Sequence, residues 1–189
     1  MHLYLASESP RRRELLARIV EDFAVEKAAV EELSNSGTMT PEELALHNAA
    51  LKAEFVSARH PENWVLGSDT IVVLDGRIYG KPRDMAEAAD FLRQFSGREH
   101  RVLTAVALRC GAKAVKSDLV AESHVRFRKL ADDTIAEYLS LVPVLDKAGA
   151  YGIQEHGEML VESIDGELEN IIGLPVGALQ KRLMELGIL

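Results

Sequence analysis

The sequence predicts an α/β fold, a mixed β-sheet flanked by helices, arranged as two lobes with a ligand cleft between them. Three observations predict it. Short apolar runs alternate with helix-start signals over residues 3–59, the order of a strand–helix–strand–helix unit. The middle of the chain carries successive extended runs that read as hairpins, too many for a purely parallel doubly wound sheet. The 189 residues, 47% apolar and 28% charged, show no linker, repeat or low-complexity tract, so residues 1–189 read as a single domain.

Residues 3–6 form a short buried strand. Ser9 then serves as N-cap with Pro10 at the first helical position, and Leu15, Leu16 and Ile19 share one face of the helix. "FAVEKAAVEEL" predicts a second strand ending in the polar loop "SNSGTM". Thr40, Pro41 and Glu43 make a capping-box start for a helix that runs to about Arg59. "WVLGSDTIVVLDGRIYGKP" predicts two strands joined by a turn at Asp75 and Gly76. Asp84 caps the next helix, with Glu87 at its third position, and Gly97 ends it. Residues 101–109 and about 115–127 are extended. Asp132 opens a helix bearing Ile135, Tyr138 and Leu139 that stops near Pro143. "YGIQEHGEMLVESIDG" predicts a strand interrupted by glycines, and a last helix runs from near Pro175 to before Gly187.

Charge and composition exclude several function classes. A net charge of −8 argues against general nucleic-acid binding, which needs a broad basic surface. It leaves room for a small polyanion in a local basic cleft. No apolar run has the length of a membrane span, and "MHLYLASESP" lacks the features of a signal peptide, so a cytoplasmic location is expected. Cys110 is the single cysteine and reads as a small buried hydrophobe or a turn residue, and the six histidines show no zinc-ligand spacing.

Four stretches carry candidate chemistry. In "LASESPRRREL" a strand gives way to a helix whose first turn has unpaired N–H groups, the hydroxyls of Ser7 and Ser9, and the guanidinium groups of Arg11 and Arg12. The turn reads as a phosphate site or as an ordinary capped helix with a solvated basic face; the first is favoured because cations at a helix N-terminus oppose its dipole unless an anion is present. Arg13 lies about 100° further round and reads as solvated. In "GSDT", Asp69 sits amid apolar residues. It reads as a metal ligand, a general base, or a turn aspartate at a strand end. In "GKP", Lys81 is either a phosphate-facing point charge or a solvated loop lysine. In "DKAGAYGIQ", Gln154 is either a partner for a base edge or a satisfied polar residue of a flexible connection. Glu31 and Glu32 precede a polar loop and on their own read as solvated.

Taken in order, "LASESPRRRELL", "VEE", "LKA", "GSDTIVVLDGRIYGKP", "FSGREHRVLTAVAL", "PVLDKAGAYGIQ" and "IIGLP" resemble the Maf family of nucleoside triphosphate pyrophosphatases across essentially the whole chain. The resemblance implies an elongated mixed sheet with a deep cleft between two lobes, as in the Maf and ITPase-like folds, and a homodimer. It implies Mg²⁺- or Mn²⁺-dependent cleavage between the α- and β-phosphates, giving a nucleoside monophosphate and pyrophosphate. By the same resemblance Ser7, Ser9, Arg11 and Arg12 match the phosphate-binding motif, Asp69 the proposed catalytic base, and Glu32, Lys52 and Lys81 the other charged cleft positions. Asp69 and Glu32 are the implied metal ligands. Arg12, Thr70 and Gln154 are similar to the branch acting on dTTP and UTP, some of whose members take modified pyrimidine nucleotides. The family's association with septum formation leaves an alternative, a nucleotide-binding regulator with little hydrolysis. The chain departs from the family pattern at His47 and Asn48, where "R-L-A-x-x-K-A" becomes "HNAALKA", at residues 155–158, and at Glu167, Leu168 and Glu169.

Overall fold

β1 (Leu3–Leu5) lies between two parallel neighbours, β2 (Phe23–Val25) and β3 (Trp64–Leu74), with Leu3 opposite both Phe23 and Trp64. The computed structural model describes residues 2–34 and 37–189. It contains a seven-stranded sheet in the order β2-β1-β3-β5-β6-β7, with β4 (Arg77–Tyr79) paired to β3; β5 is Glu99–Cys110, β6 Val115–Phe127 and β7 Val161–Asp165. β1 runs parallel to β3, whereas β4 and β7 run antiparallel to β3 and β6, so the sheet is mixed as expected. The helices are α1 (Pro10–Leu16), α2 (Pro41–Ser57), α3 (Met85–Phe95), α4 (Asp132–Leu141), α5 (Leu168–Ile172) and α6 (Val176–Glu185). None of the described helices is long and apolar enough to cross a membrane.

The chain divides into two compact units. The first comprises Met1–Thr70, Thr104–Ala121 and Gly173–Leu189; the second comprises Ile71–Leu103 and Glu122–Ile172. β3, β5 and β6 each contribute residues to both.

In the first unit both helix starts follow from the sequence. Ser9 Oγ accepts from Arg12 N at 3.4 Å. Thr40 and Glu43 cap reciprocally, with Glu43 N donating to Thr40 Oγ1 at 3.2 Å and Thr40 N donating to Glu43 Oε2 at 2.8 Å. α2 buries a stripe of small side chains, Ala45, Ala49 and Ala53, one helical turn apart. Gly67 of β3 makes that stripe necessary and itself has to be glycine. A Cβ on Gly67 would stand 2.1 Å from Ala49 O and 2.7 Å from Ala53 N. The strand and the helix backbone are therefore in direct contact, and this closeness brings the polar side of α2 within reach of the next residues of β3.

In the second unit Asp75 (φ 51°) and Gly76 (φ 78°) form the expected tight turn, with Leu74 opposite Arg77 in the β3–β4 hairpin. Asp84 Oδ1 accepts from Glu87 N at 2.8 Å to cap α3, and Gly97 (φ 69°) follows its end. The core is aromatic. Tyr79 packs on Phe91 and Phe95, and His100 stacks on Phe95 at 4.5 Å and bonds Tyr151 OH at 2.8 Å. Burial pushes the His100 imidazole down to about 3, so it is neutral.

Two expectations need correction, and one helix was unforeseen. "FAVEKAAVEEL" yields a strand only at Phe23–Val25, because β1 offers three residues to pair with; Glu26 N still donates to Leu5 O at 3.0 Å and pairing then ends. The strand expected over "YGIQEHGEMLVESIDG" is confined to Val161–Asp165. His156 takes a left-handed conformation (φ 55°), which breaks the extended run, and a short 3₁₀ turn at Gly157–Met159 follows. α5 was not expected at all. Five residues are too few to display a helical period. Within the expected polar loop, Asn35 and Ser36 lie outside the described residues. Cys110 is buried, as expected.

Candidate active site

β3 carries Ser68, Asp69 and Thr70 in sequence, and the first two are buried. Asn48 and Lys52 are one turn apart on α2, so both project toward the same stretch of β3. Lys52 Nζ donates to Asp69 Oδ1 at 2.9 Å and to Ser68 O at 3.2 Å, and lies 2.7 Å from Glu32 Oε2. An ammonium has three protons, and three acceptors are in place. Asn48 Nδ2 donates to the other oxygen of Asp69, Oδ2, at 3.1 Å. Burial alone would raise the Asp69 carboxyl. The charges of Lys52 and Arg12 and the bonds from Lys52 and Asn48 outweigh it and hold the group below the usual carboxylate range.

Arg12 reaches the same place from α1. Its Nε donates to Gly173 O at 2.9 Å, one terminal nitrogen to Thr70 Oγ1 at 3.1 Å, and the other to Ser7 Oγ at 3.4 Å. These three acceptors are neutral, so the bonds fix the guanidinium plane without cancelling its charge. Burial lowers the Arg12 pKa, against the attraction of Asp69 and Glu32. The guanidinium expected to face phosphate is already oriented by the protein, while its charge stays available. Ser7 Oγ also accepts from Ser9 N at 3.2 Å, and Thr70 Oγ1 shares a hydrogen bond with Thr104 Oγ1 at 3.0 Å. Arg11 is half-buried on the same helix, and exposed Arg13 lines a surface groove of about 380 Å³ with Ser7, Ser9 and Glu14.

The structure thus brings together Ser7, Arg12, Glu32, Lys52, Asp69 and Thr70, with Ser9 and Arg11 on the adjoining turn, all within the first unit. Lys81 and Gln154 belong to the second unit. Lys81 is exposed in the loop after β4, and Gln154 is exposed in the turn that precedes Gly157–Met159. Sequence reasoning missed Asn48, Ser68, Thr104 and Gly173 as parts of the site. The spacing Leu44, Asn48, Lys52 was a usable signal, since it places an amide on the face that carries the lysine. "IIGLP" flagged Gly173 without hinting that its carbonyl receives both Arg12 Nε and Ser68 Oγ, the latter at 3.3 Å.

Among the described residues no group of three or more His, Cys, Asp or Glu side chains is disposed to hold a metal ion. Two carboxylates do converge, since Asp69 and Glu32 both lie within 2.9 Å of one nitrogen. Their hard oxygens suit Mg²⁺ or Mn²⁺, with water completing the shell, and each carboxylate oxygen keeps a lone pair beyond its present bond.

An α/β chain of this topology, with a strand aspartate neutralised from a helix behind it and a serine–arginine turn beside it, has a defined place among known proteins. The chain belongs to the Maf-like protein family, whose model matches residues 2–186. It is 48% identical over 183 residues to the dTTP/UTP pyrophosphatase of Akkermansia muciniphila, covering 97% of this chain and 95% of the relative. It is 42% identical over 181 residues to the dTTP/UTP pyrophosphatase of Clostridioides difficile, covering 95% and 92%. Among solved structures it is similar to the Staphylococcus aureus Ham1 protein, with a TM-score of 0.55 over 98% of this chain and 99% of that one. At 17% identity that likeness concerns the fold alone.

Proposed function

We propose that the protein is a nucleoside triphosphate pyrophosphatase that hydrolyses dTTP and UTP, and modified pyrimidine nucleotides of the same shape, to the monophosphate and pyrophosphate. The observation that carries this reading is the convergence of Asp69, Glu32 and Lys52 beside Arg12 in a chain 48% identical to a dTTP/UTP pyrophosphatase. The family match over residues 2–186 supports treating the chain as one functional domain.

A triphosphate is dense in negative charge, so positioning and charge neutralisation supply most of the rate. Ser7, Ser9, Arg11 and Arg12 bind the phosphate chain, the serines through O–H groups and Arg12 through a guanidinium held in plane by Gly173, Thr70 and Ser7. Lys52 and Lys81 offset the charge that develops on the departing pyrophosphate. Asp69 orients the attacking water and takes its proton as the α-phosphorus is attacked. A carboxylate kept ionised is suited to orienting water and to passing that proton on rather than storing it. A divalent cation on Asp69 and Glu32, Mg²⁺ or Mn²⁺, would supply Lewis acidity and lower the pKa of a bound water. Base choice rests on Arg12, Thr70 and Gln154. A buried polar group left without its partner costs about 1–3 kcal/mol, which corresponds to roughly tenfold to a hundredfold in selectivity.

The working form is proposed to be a cytoplasmic homodimer, which light scattering on the purified protein checks. A pyrophosphate-release screen over normal and modified triphosphates, with each metal in turn, tests the activity. Equal rates across purines and pyrimidines would remove the proposed base preference.

A further inference from the structure

The activity proposed above assigns no role to Asn48, one of the two positions at which "HNAALKA" departs from the family's "R-L-A-x-x-K-A". The side chain is buried in the middle of α2, at 2% exposure. That is a costly place for an amide. Asparagine is a poorer helix former than alanine or leucine, and a buried amide needs partners to offset lost hydration. Asn48 has three. Leu33 N donates to Asn48 Oδ1 at 2.9 Å, Asn48 Nδ2 donates to Leu33 O at 2.9 Å, and the second Nδ2 proton goes to Asp69 Oδ2 at 3.1 Å. The two bonds to the N–H and C=O of one residue settle which side of the amide is nitrogen, because the Leu33 N–H requires an oxygen opposite it. The orientation that satisfies Leu33 is the one that points a donor at Asp69.

We propose that Asn48 is a positioning residue of this site, locking the backbone next to Glu32 in register with the Asp69 carboxylate. Asn48 and Lys52 then act as two clamps from one face of α2. Lys52 draws the Glu32 and Asp69 carboxylates together by charge, and Asn48 fixes the backbone that carries one of them and an oxygen of the other. A lone ammonium on a flexible stem sets distance poorly; a planar amide holding both the N–H and the C=O of Leu33 fixes that residue's backbone against it. The alternative, a core asparagine that merely satisfies itself, predicts no effect on turnover once the protein is folded.

The inference rests on the proposed role of Asp69, and the test separates the two. Asn48→Leu removes all three bonds at similar volume. Asn48→Gln keeps the amide one methylene further out. Each is assayed by pyrophosphate release from UTP well below its melting temperature, with hydrogen exchange read at the Leu33 amide. Asn48→Leu is expected to lower kcat about tenfold or more while KM stays within about threefold, and to accelerate exchange at Leu33; Asn48→Gln is expected to recover part of both. Should Asn48→Leu not fold, Asn48→Ser, smaller and still bearing a hydroxyl, is read in the same way. Wild-type kcat in a folded variant, or unchanged Leu33 exchange, overturns the positioning role. Asp69→Asn run alongside is expected to be inactive. If it turns over normally, the reading of the whole site fails and the inference fails with it, whereas an inactive Asp69→Asn beside a fully active Asn48→Leu refutes the inference alone.

Discussion

Lys52 is the most consequential single residue of the site, because its one charge faces two carboxylates and a carbonyl. Removing it leaves Asp69 a buried anion with only Asn48 and the more distant Arg12 to steady it. Lys52→Met should therefore cost about 3–5 kcal/mol of stability, measured by denaturant titration, and should raise the Asp69 pKa toward neutrality. A loss below about 1 kcal/mol would mean that the ammonium is solvated and the pair weak. His100 makes a prediction of a different kind. Its folded pKa, near 3, lies below that of the unfolded chain, near 6.5, so between these values the unfolded chain binds more protons. The stability it contributes is fully present above about pH 6.5 and declines as pH falls toward 3, by about 1.4 kcal/mol per unit. His100→Phe should flatten the melting-temperature profile in that window. At this scale Asp69 and Lys52 were legible from motif resemblance. Asn48 was only half legible: its spacing from Lys52 puts an amide on the lysine's face, but its partners, Leu33 in the loop before α2 and Asp69 on β3, leave no trace in the sequence pattern.

Elements were legible where their boundaries are made by local chemistry. Ser9 with Pro10, Thr40 with Glu43, Asp84 with Glu87, and the turn at Asp75 and Gly76 all appear where the sequence put them. They fail to be legible where length is set by a neighbour. β2 stops because β1 is short, and residues 151–160 curl because tertiary bonds, such as Gly152 N to Tyr138 OH at 3.0 Å, replace a strand ladder. The contact between α2 and β3 is likewise invisible in the periodicity, yet it places the site. Gly67→Ala is expected to force the two elements apart, costing about 1–3 kcal/mol and most of the activity, since a methyl would meet helix backbone that has no rotamer to adjust. Thermal unfolding together with a turnover assay checks it. A variant with wild-type melting and turnover would show that α2 does not depend on that contact.

For the whole molecule, the order of motifs along the chain carried more information than any motif alone. The mixed sheet was legible from the run of hairpins, and family membership from seven short motifs in sequence. What the sequence did not reveal was how the candidates would be distributed. Eight of them, from Ser7 to Thr70, fall in the first unit, while Lys81 and Gln154 fall in the second. The proposed roles predict two kinds of variant. Substitutions of phosphate-binding residues, such as Arg12→Ala, should depress hydrolysis of every triphosphate. Gln154→Ala should leave the phosphate chemistry intact and change the ratio of UTP to purine triphosphate turnover by roughly tenfold to a hundredfold. A uniform loss in Gln154→Ala across all nucleotides would move that residue from base choice to general structure. The measurement closest to the central claim is pyrophosphate release from dTTP and UTP by the wild type and by Asp69→Asn, each with Mg²⁺ and with Mn²⁺. The site described here predicts rapid metal-dependent release by the wild type and loss of at least about a hundredfold in a folded Asp69→Asn; an Asp69→Asn enzyme with wild-type turnover would contradict it.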